Sequence, residues 1–145
     1  FRYFNVFGPK QDPNSQYSAA IPKFITALLA NEAPTIYGDG EQTRDFTYID
    51  NVVKANLMAC ERQPNESFGK AYNVGCGGRI SLNDLIDNMK KVLSMDIDPI
   101  YSEPRAGDVR DSQADITSLQ EKIGLQEMVS LEEGLAKTIA WYQGS

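Results

Sequence analysis

The sequence predicts a mixed α/β fold, and two observations lead to that prediction. Short β-branched and aromatic runs alternate with segments whose apolar residues recur every three or four positions, which is typical of strands and helices in alternation. Hydrophobic residues make up 41% of the 145 positions and charged residues 23%, as in globular proteins. Some of the predicted strands suit a parallel sheet, whereas others suit a small α+β lobe.

The first strand is expected over residues 1–6, because this aromatic and β-branched run stops at a Gly-Pro pair. Pro22 suits the first turn of a helix. The apolar face of that helix would carry Phe24, Ile25, Leu28 and Leu29. Residues 33–40 read as a short strand that runs into a turn, and residues 44–49 read as another strand.

A second helix is expected over residues 51–62, with Asp50 as its N-cap and Val53, Leu57 and Cys60 on its apolar face. Residues 64 and 65 would end it. The following short apolar strand at 71–74 runs directly into glycines.

Three further helices are predicted towards the end of the chain. Ser81, with an acidic residue three positions later, forms a capping box for a helix that continues to about residue 93. A short strand lies at the head of the next loop. Asp115 can cap a brief helix that ends at Gly124, and Ser130 with Glu133 makes another capping box for the last helix.

Charge and composition exclude several classes of function. The net charge is −6 and the pI is near 4.6, which argues against a nucleic-acid partner. There is no histidine, and the two cysteines, Cys60 and Cys76, form no CxxC pair, so zinc sites and Cys-His or Ser-His catalysis lose support. No apolar run approaches the ~18 residues of a membrane span. The sequence therefore predicts a cytoplasmic protein without a metal site or a membrane partner.

Three segments could bind a ligand: "RYFNVFGP", "YGDGEQTRDF" and "PRAGDVR". Asn5 is expected near the end of a strand, where its amide would contact either a ligand or a backbone turn. The guanidinium of Arg44 matches phosphate oxygens, although a salt bridge to Asp45 or Asp39 is an alternative.

The third segment, "PRAGDVR", also combines arginines with an aspartate. Arg105 and Arg110 could meet phosphate, and Asp108 between them could accept hydrogen bonds from ribose hydroxyls. Two separate arginine loops in an acidic chain favour an anionic ligand more than either loop does alone, although ion pairs are the commoner role of loop arginines.

Four segments together carry a family resemblance: "RYFNVFGPKQDPN", "YGDGEQTRDFTYIDNV", "AYNVGCGG" and "PRAGDVRDSQAD". In order and spacing they resemble the C-terminal signatures of the extended short-chain dehydrogenase/reductases, in particular the nucleotide-sugar epimerases and dehydratases. The resemblance covers nearly the whole chain. It is strongest to the 4-epimerases of UDP-N-acetylhexosamines that serve surface polysaccharide synthesis.

The resemblance implies an NAD cofactor and a UDP-sugar substrate. Tyr3 and Phe4 match positions whose backbone lies beside the nicotinamide. The substrate-binding positions that it implies are Asn5 at the phosphates, Ala19 and Ala20 under the uridine, Ile36 and Tyr37 beside the base, Arg44 and Arg105 on the pyrophosphate, and Asp108 on the ribose.

Two elements of the family's chemistry are missing from the sequence. It contains neither a GxxGxxG turn for the dinucleotide nor a tyrosine with lysine four positions later. Because these elements are missing, we expect the catalytic residues and most of the cofactor pocket to lie upstream of Phe1. No catalytic residue is expected in this chain. The chain begins without methionine, already in a strand, so we expect the inactive C-terminal portion of a larger enzyme.

The resemblance also implies a division of the chain. Residues 1–8, 46–62 and 71–78 would belong to the Rossmann-type sheet, and residues 9–45 and 79–145 to a substrate-binding lobe. A 4,6-dehydratase would share these signatures. A stand-alone binding module is a further alternative, in which the exposed strands at 1–6 and 71–74 would pair with a second copy; a homodimer is expected for the whole protein.

Overall fold

The computed structural model describes residues 1–15, 20–61 and 68–144. The strands are β1 (Arg2–Tyr3), β2 (Val6–Phe7), β3 (Thr35–Tyr37), β4 (Thr43–Arg44), β5 (Thr47–Tyr48), β6 (Asn73–Val74), β7 (Ile80–Ser81) and β8 (Ile100–Ser102). The helices are α1 (Ala20–Leu29), α2 (Ile49–Cys60), α3 (Leu82–Leu93) and α4 (Leu131–Gly144), with a π-helical turn at Leu119–Ile123. The predicted α/β class is confirmed.

The strands form four pairs, three of them parallel. β1 pairs with β6, β2 pairs with β5, and β3 pairs with β8 in parallel, whereas β4 and β7 are antiparallel. Each parallel pair joins strands far apart in the sequence, which requires crossover segments such as α1 and α2 between them. The mixture of parallel and antiparallel pairs agrees with the two kinds of strand that the sequence predicted.

The prediction of a single strand over residues 1–6 is wrong, because the strand is interrupted at residues 4 and 5. Asn5 has a φ of 34°, which interrupts the extended backbone and separates β1 from β2. Its side-chain Nδ2 donates to the carbonyl oxygen of Asp45 at 2.9 Å. Asparagine tolerates this conformation better than most residues, because its short polar side chain can bond locally to the backbone. The strand predicted at 44–49 is likewise divided, into β4 and β5.

Helix α3 begins where its capping box predicts. The Oγ of Ser81 accepts from the backbone N–H of Asp84 at 3.0 Å. The first three turns bury the apolar face, formed by Leu82, Leu85, Ile86 and Met89. Ser130 caps α4 in the same way and accepts from the N–H of Glu133 at 3.2 Å. Both capping predictions are confirmed.

Two predictions about α2 are wrong. The helix begins at Ile49, and Asp50 lies in its first turn without acting as the N-cap. The predicted apolar face, formed by Val53, Leu57 and Cys60, is exposed. The helix instead buries the residues Asn51, Val52 and Ala55. The end predicted at residues 64 and 65 lies outside the described residues.

The buried asparagine explains why α2 faces this way. Asn51 Nδ2 donates to the carbonyl oxygen of Val129 at 2.9 Å, and Asn51 Oδ1 accepts from the N–H of Val129 at 2.8 Å. A buried amide is tolerated when its polar atoms are paired, as here. The side chain thus fixes α2 to the segment that precedes α4.

Two clusters of buried apolar side chains stabilise the fold. The first lies among α1, α3 and α4, with Phe7, Phe46 and Tyr48 in contact at its centre. Gly134 on α4 lets the helix approach this centre, because a Cβ there would lie 2.9 Å from both Phe7 and Tyr48. The second cluster packs α2 against the π-helical turn through Val52, Ala55, Tyr72, Val74, Leu119, Ile123 and Leu125.

The helices of the described ranges are too short or too polar to cross a lipid bilayer.

Candidate functional site

A cavity of about 460 Å³ opens beside α1 and is called the inner cavity here. Its walls come from α1, β3, β4 and the loop that follows β8. The charged residues that line it are Lys23, Glu32, Arg44, Arg105 and Asp108, which carry three positive and two negative charges. The cavity therefore has a net positive wall inside an acidic protein, which suits an anionic ligand.

Arg44 contributes a mostly buried cation to this wall. Its side chain is 15% exposed, and its Nη1 donates to the carbonyl oxygen of Thr43 at 2.8 Å. Its Nη2 donates to Oδ1 of Asp108 in a close ion pair. The sequence offered Asp45 or Asp39 as the salt-bridge partner, whereas the actual partner lies 64 positions away.

Arg105 and Tyr37 form a second contact at the edge of the inner cavity. The guanidinium carbon of Arg105 lies 3.8 Å from the centre of the Tyr37 ring. A guanidinium attracts the negative face of an aromatic ring, and it retains its N–H donors at the periphery while stacked. Arg105 is thus held flat while its donors remain available to an anion.

A second cavity, of about 650 Å³, adjoins the inner cavity and is called the outer cavity. Both cavities are lined by Tyr37, Gln42, Arg105 and Asp108, so these four residues form the boundary between them. The outer cavity is otherwise formed by the turn after β3 and the segment after β8. The turn after β3 and the segment after β8 contact each other, so they form one continuous wall along the inner and outer cavities.

An exposed ion pair lies at the outer cavity. Arg110 Nη1 donates to both carboxylate oxygens of Asp39, at 2.8 Å each. The bond from Arg110, together with the N–H of Glu41, holds the pKa of the Asp39 carboxyl below its usual value. Both side chains of the pair are more than half exposed, so water and salt screen the attraction.

Asp45 lies directly beside Arg44 and is 1% exposed. Its Oδ1 accepts from the N–H of Cys76 at 3.0 Å. Its Oδ2 accepts from the N–H of Gly77 at 2.9 Å and from that of Ala114 at 3.1 Å. We call this arrangement the Asp45 junction, because it joins three distant segments of the chain. A carboxylate with several N–H partners can be buried in its charged form.

Most of the binding residues predicted from the sequence meet at the inner cavity. Those that line it are Asn5, Ala20, Tyr37, Arg44, Arg105 and Asp108. Ile36 is fully buried and supports the strand below the cavity. Tyr3 and Phe4 do not line it, and Tyr3 is half exposed on β1. Ala19 lies outside the described residues.

Lys23 and Gln42 are among the lining residues of the inner cavity that the sequence analysis did not single out. Lys23 lines the inner cavity from α1, yet in the sequence it resembles an ordinary solvent-exposed helix residue. Gln42 is 6% exposed, and its Nε2 donates to the carbonyl oxygen of Tyr37 at 2.6 Å. Its position within the candidate segment "YGDGEQTRDF", between Tyr37 and Arg44, was the available signal.

Cys76 does not have the surroundings of a nucleophile. Cys76 receives a weak bond from Asn51 Nδ2, with 3.7 Å between nitrogen and sulfur, and burial raises the pKa of its thiol. A raised pKa keeps a thiol protonated and unreactive at neutral pH. In the described part of the chain, no three His, Cys, Asp or Glu residues are grouped so that they could hold a metal ion.

A family model described as "NAD dependent epimerase/dehydratase family" matches residues 1–75 of the sequence. The chain belongs to this family. The matched range contains the first part of the inner cavity, including Arg44 and Tyr37. The predicted family and the Rossmann-type fold of its members are thereby confirmed.

Solved structures of epimerases resemble this family member over 99% of its length. One is the UDP-N-acetylglucosamine 4-epimerase from Methanobrevibacter ruminantium M1 in complex with UDP-N-acetylmuramic acid, with 45% identity and a TM-score of 0.89. Another is the UDP-glucuronic acid 4-epimerase from Bacillus cereus in complex with UDP-glucuronic acid and NAD, with 31% identity and a TM-score of 0.90. The chain covers 45% and 44% of these two chains.

Curated enzymes from the family are also similar to this chain in sequence. The UDP-glucose 4-epimerase of Mycolicibacterium smegmatis is 36% identical over 96% of the chain, and the dTDP-glucose 4,6-dehydratase of Streptomyces griseus is 32% identical over 97%. The chain spans 43% and 41% of their lengths. It therefore corresponds to less than half of each of these enzymes.

Proposed function

We propose that this chain binds the UDP part of a UDP-sugar within an NAD-dependent 4-epimerase. The observation that carries the proposal is the meeting of Arg44, Arg105 and Asp108 at the inner cavity. Two arginines and a carboxylate at one site match a ligand that has both phosphate oxygens and hydroxyl donors. The proteins similar to this chain support a UDP-sugar as that ligand.

The two arginines would hold the diphosphate from different directions. Arg44 is confined by its bond to the Thr43 carbonyl, and Arg105 is confined by its stack on Tyr37. Confinement of the side chains lowers the entropy cost of binding, since little rotamer freedom remains to be lost. Lys23 on α1 adds a third cation to the lining of the cavity.

The nucleoside would occupy the rest of the inner cavity. Tyr37 on β3 would lie beside the base, with the fully buried Ile36 anchoring that strand in the core, and Ala20 at the start of α1 would lie beneath the uridine. Ala20 presents only a methyl group, which leaves room for a flat ring. Asp108 would accept from a ribose hydroxyl, and Asn5 would lie near the phosphates.

The strand pairs support the proposed division of the chain into two parts. The segments proposed for the Rossmann-type sheet, at 1–8, 46–62 and 71–78, contain the pairs β1–β6 and β2–β5. The segments proposed for the lobe, at 9–45 and 79–145, contain the pairs β3–β8 and β4–β7. Each strand thus pairs within its own proposed part.

The catalytic step would depend on groups outside this chain. In a 4-epimerase a bound NAD would supply the hydride chemistry at C4 of the sugar, and the residues of this chain would hold the UDP end in place meanwhile. Tyr3 fits a place at the edge of the cofactor, because its ring is half exposed on β1 beside Phe4. We propose that the chain alone is inactive.

Calorimetric titration with UDP tests the proposed binding site. Arg44→Ala and Arg105→Ala should each weaken UDP binding by the complete protein about tenfold or more, since each removes charge-assisted hydrogen bonds to phosphate. The 145-residue chain alone should bind UDP more weakly than the complete protein.

Arg79→Ala is the matched control for these titrations. Arg79 is an exposed arginine that pairs with Asp111 at 3.7 Å and lines neither cavity. Its replacement changes the net charge equally and should leave UDP affinity unchanged. Wild-type affinity in both Arg44→Ala and Arg105→Ala would contradict the proposed site.

A 4,6-dehydratase is the second candidate, because the Streptomyces griseus dehydratase is also similar to the chain. We favour the epimerase, since the Methanobrevibacter epimerase is more similar, at 45% identity against 32%. Incubation of the complete protein with UDP-N-acetylglucosamine separates the two reactions. An epimerase yields UDP-N-acetylgalactosamine, whereas a dehydratase yields a 4-keto-6-deoxy sugar. The role in surface polysaccharide synthesis, the homodimer and the cytoplasmic location stay predictions.

A further inference from the structure

The ion pair between Arg44 and Asp108 places a competitor for phosphate inside the inner cavity. Arg44 Nη2 donates to Asp108 Oδ1, and both side chains line the cavity. The proposed function assigns the same guanidinium to a diphosphate. Arg44 has five N–H groups, so a diphosphate can bind those that Asp108 leaves free, but it then shares the cation with a carboxylate that also carries negative charge.

The affinity of a ligand for this site depends on whether it also carries a hydrogen-bond donor for the Asp108 carboxylate. A diphosphate on Arg44 brings its negative charge close to the Asp108 carboxylate and weakens the hold of that carboxylate on the cation. Inorganic pyrophosphate has no hydroxyl to donate to that carboxylate, whereas a nucleoside diphosphate has ribose hydroxyls. An acceptor that loses its partner raises the free energy of the complex, and a new donor restores much of the loss.

We propose that Asp108 makes the inner cavity selective for nucleoside diphosphates over inorganic pyrophosphate. This inference rests on the proposed function, because it takes Arg44 as a phosphate ligand. Asp108 acts on the two ligands in opposite directions: it repels a bare diphosphate, and it accepts from a ligand that carries a ribose.

The backbone fixes Asp108 in the position that this role needs. The N–H of Asp108 donates to the carbonyl oxygen of Arg105 at 3.2 Å, which closes a turn between the two residues. Gly107 within this turn has a φ of 81°, a conformation that favours glycine. The turn keeps the carboxylate close to both arginines, so an anion that meets the arginines also meets Asp108.

Asp108→Asn tests the inference, because it removes the charge and preserves the shape of the side chain. The complete protein and its variant are titrated with UDP and with inorganic pyrophosphate in magnesium-free buffer. We expect pyrophosphate affinity to rise about fivefold or more, and the preference for UDP over pyrophosphate to fall by at least the same factor.

Glu32→Gln is the matched control, because Glu32 also lines the inner cavity and its replacement removes the same charge. It should raise pyrophosphate affinity less than Asp108→Asn does and leave the preference for UDP nearly unchanged. Equal pyrophosphate affinities in the two variants would overturn the inference, since the effect would then be one of net charge.

The Arg44→Ala titration separates failure of the inference from failure of the proposed function. If Arg44→Ala weakens UDP binding while Asp108→Asn leaves pyrophosphate binding at the control level, only the selectivity role of Asp108 is wrong. If Arg44→Ala leaves UDP binding unchanged, the proposed site is wrong and the inference fails with it. Circular dichroism of each variant confirms that the fold is retained.

Discussion

Arg44 and Asp45 are adjacent in the chain and opposite in charge, yet they belong to regions with different physical properties. Arg44 lies in the wall of the inner cavity and pairs with the partly exposed side chain of Asp108. Asp45 lies in the Asp45 junction, is 1% exposed, and accepts from three backbone N–H groups. Arg44 ends β4, and Asp45 follows it in the two-residue segment before β5.

Arg44 can exchange its partner, whereas Asp45 cannot. A side-chain partner such as Asp108 can rotate away and be replaced by a ligand. The backbone donors around Asp45 are fixed by the fold, and loss of the carboxylate would leave them buried and unpaired. Substitutions at the junction should therefore affect stability, and substitutions at the cavity wall should affect binding.

The largest effect is expected from Asp45→Ala. The substitution leaves three N–H groups, on Cys76, Gly77 and Ala114, without their acceptor. We expect it to lower the free energy of unfolding by about 3 kcal/mol or more, as measured by urea denaturation. Asp87→Ala, which removes an exposed carboxylate on α3, should change it little. A loss no larger than that of Asp87→Ala would show that the junction contributes little stability.

A smaller effect is expected from Gly75→Ala, which perturbs the junction by crowding. A Cβ at Gly75 would lie 2.5 Å from the Cβ of Ala114 and 2.8 Å from Oδ2 of Asp45. Relief of this overlap should cost about 1–3 kcal/mol of unfolding free energy. Gly78→Ala is the control, because no atom lies within 4 Å of the added Cβ. Equal thermal midpoints for the two variants would contradict the tight packing.

The smallest effect is expected from Arg110→Ala at the outer cavity. Both members of the Arg110–Asp39 pair are exposed, so the thermal midpoint at neutral pH should hardly change. The pKa of Asp39 should rise towards its usual value, because Arg110 is the main cause of its lowered pKa. A carboxyl titration followed by NMR measures the change.

The sign of the pH dependence follows from that lowered pKa. The pair stabilises the folded state above the usual pKa of aspartate, about 4, and this contribution is lost as the pH falls through the lower folded-state value. Any small stability difference between wild type and Arg110→Ala should therefore vanish in acid. A difference that persists at pH 2 would have another origin.

Local signals predicted the helices that they cap. Ser81 and Ser130 begin α3 and α4 as predicted, because a capping bond joins residues only three positions apart. The apolar face of α2 was predicted wrongly because the burial of this helix depends on a partner far away in the sequence. Asn51 is buried through bonds to Val129, 78 positions away, and a sequence pattern contains no trace of such a partner.

At the candidate site, too, the sequence did not reveal contacts between residues that are far apart in the chain. The resemblance to the family placed Arg44, Arg105 and Asp108 together, and the structure brings all three to the inner cavity. The sequence did not reveal which ions pair, because Arg44 bonds to a residue 64 positions away while its neighbour Asp45 bonds to the backbone. Charge pairing is decided by the tertiary fold, and nearness in sequence is a poor guide to it.

The Asp45 junction also bears on the order in which the chain can fold. The three N–H partners of Asp45 follow it by 31, 32 and 69 positions. During synthesis at about 5–20 residues per second, the third donor emerges seconds after the carboxylate does. Until Ala114 leaves the ribosome, the carboxylate has an incomplete set of partners, so complete burial of Asp45 belongs to the late steps of folding.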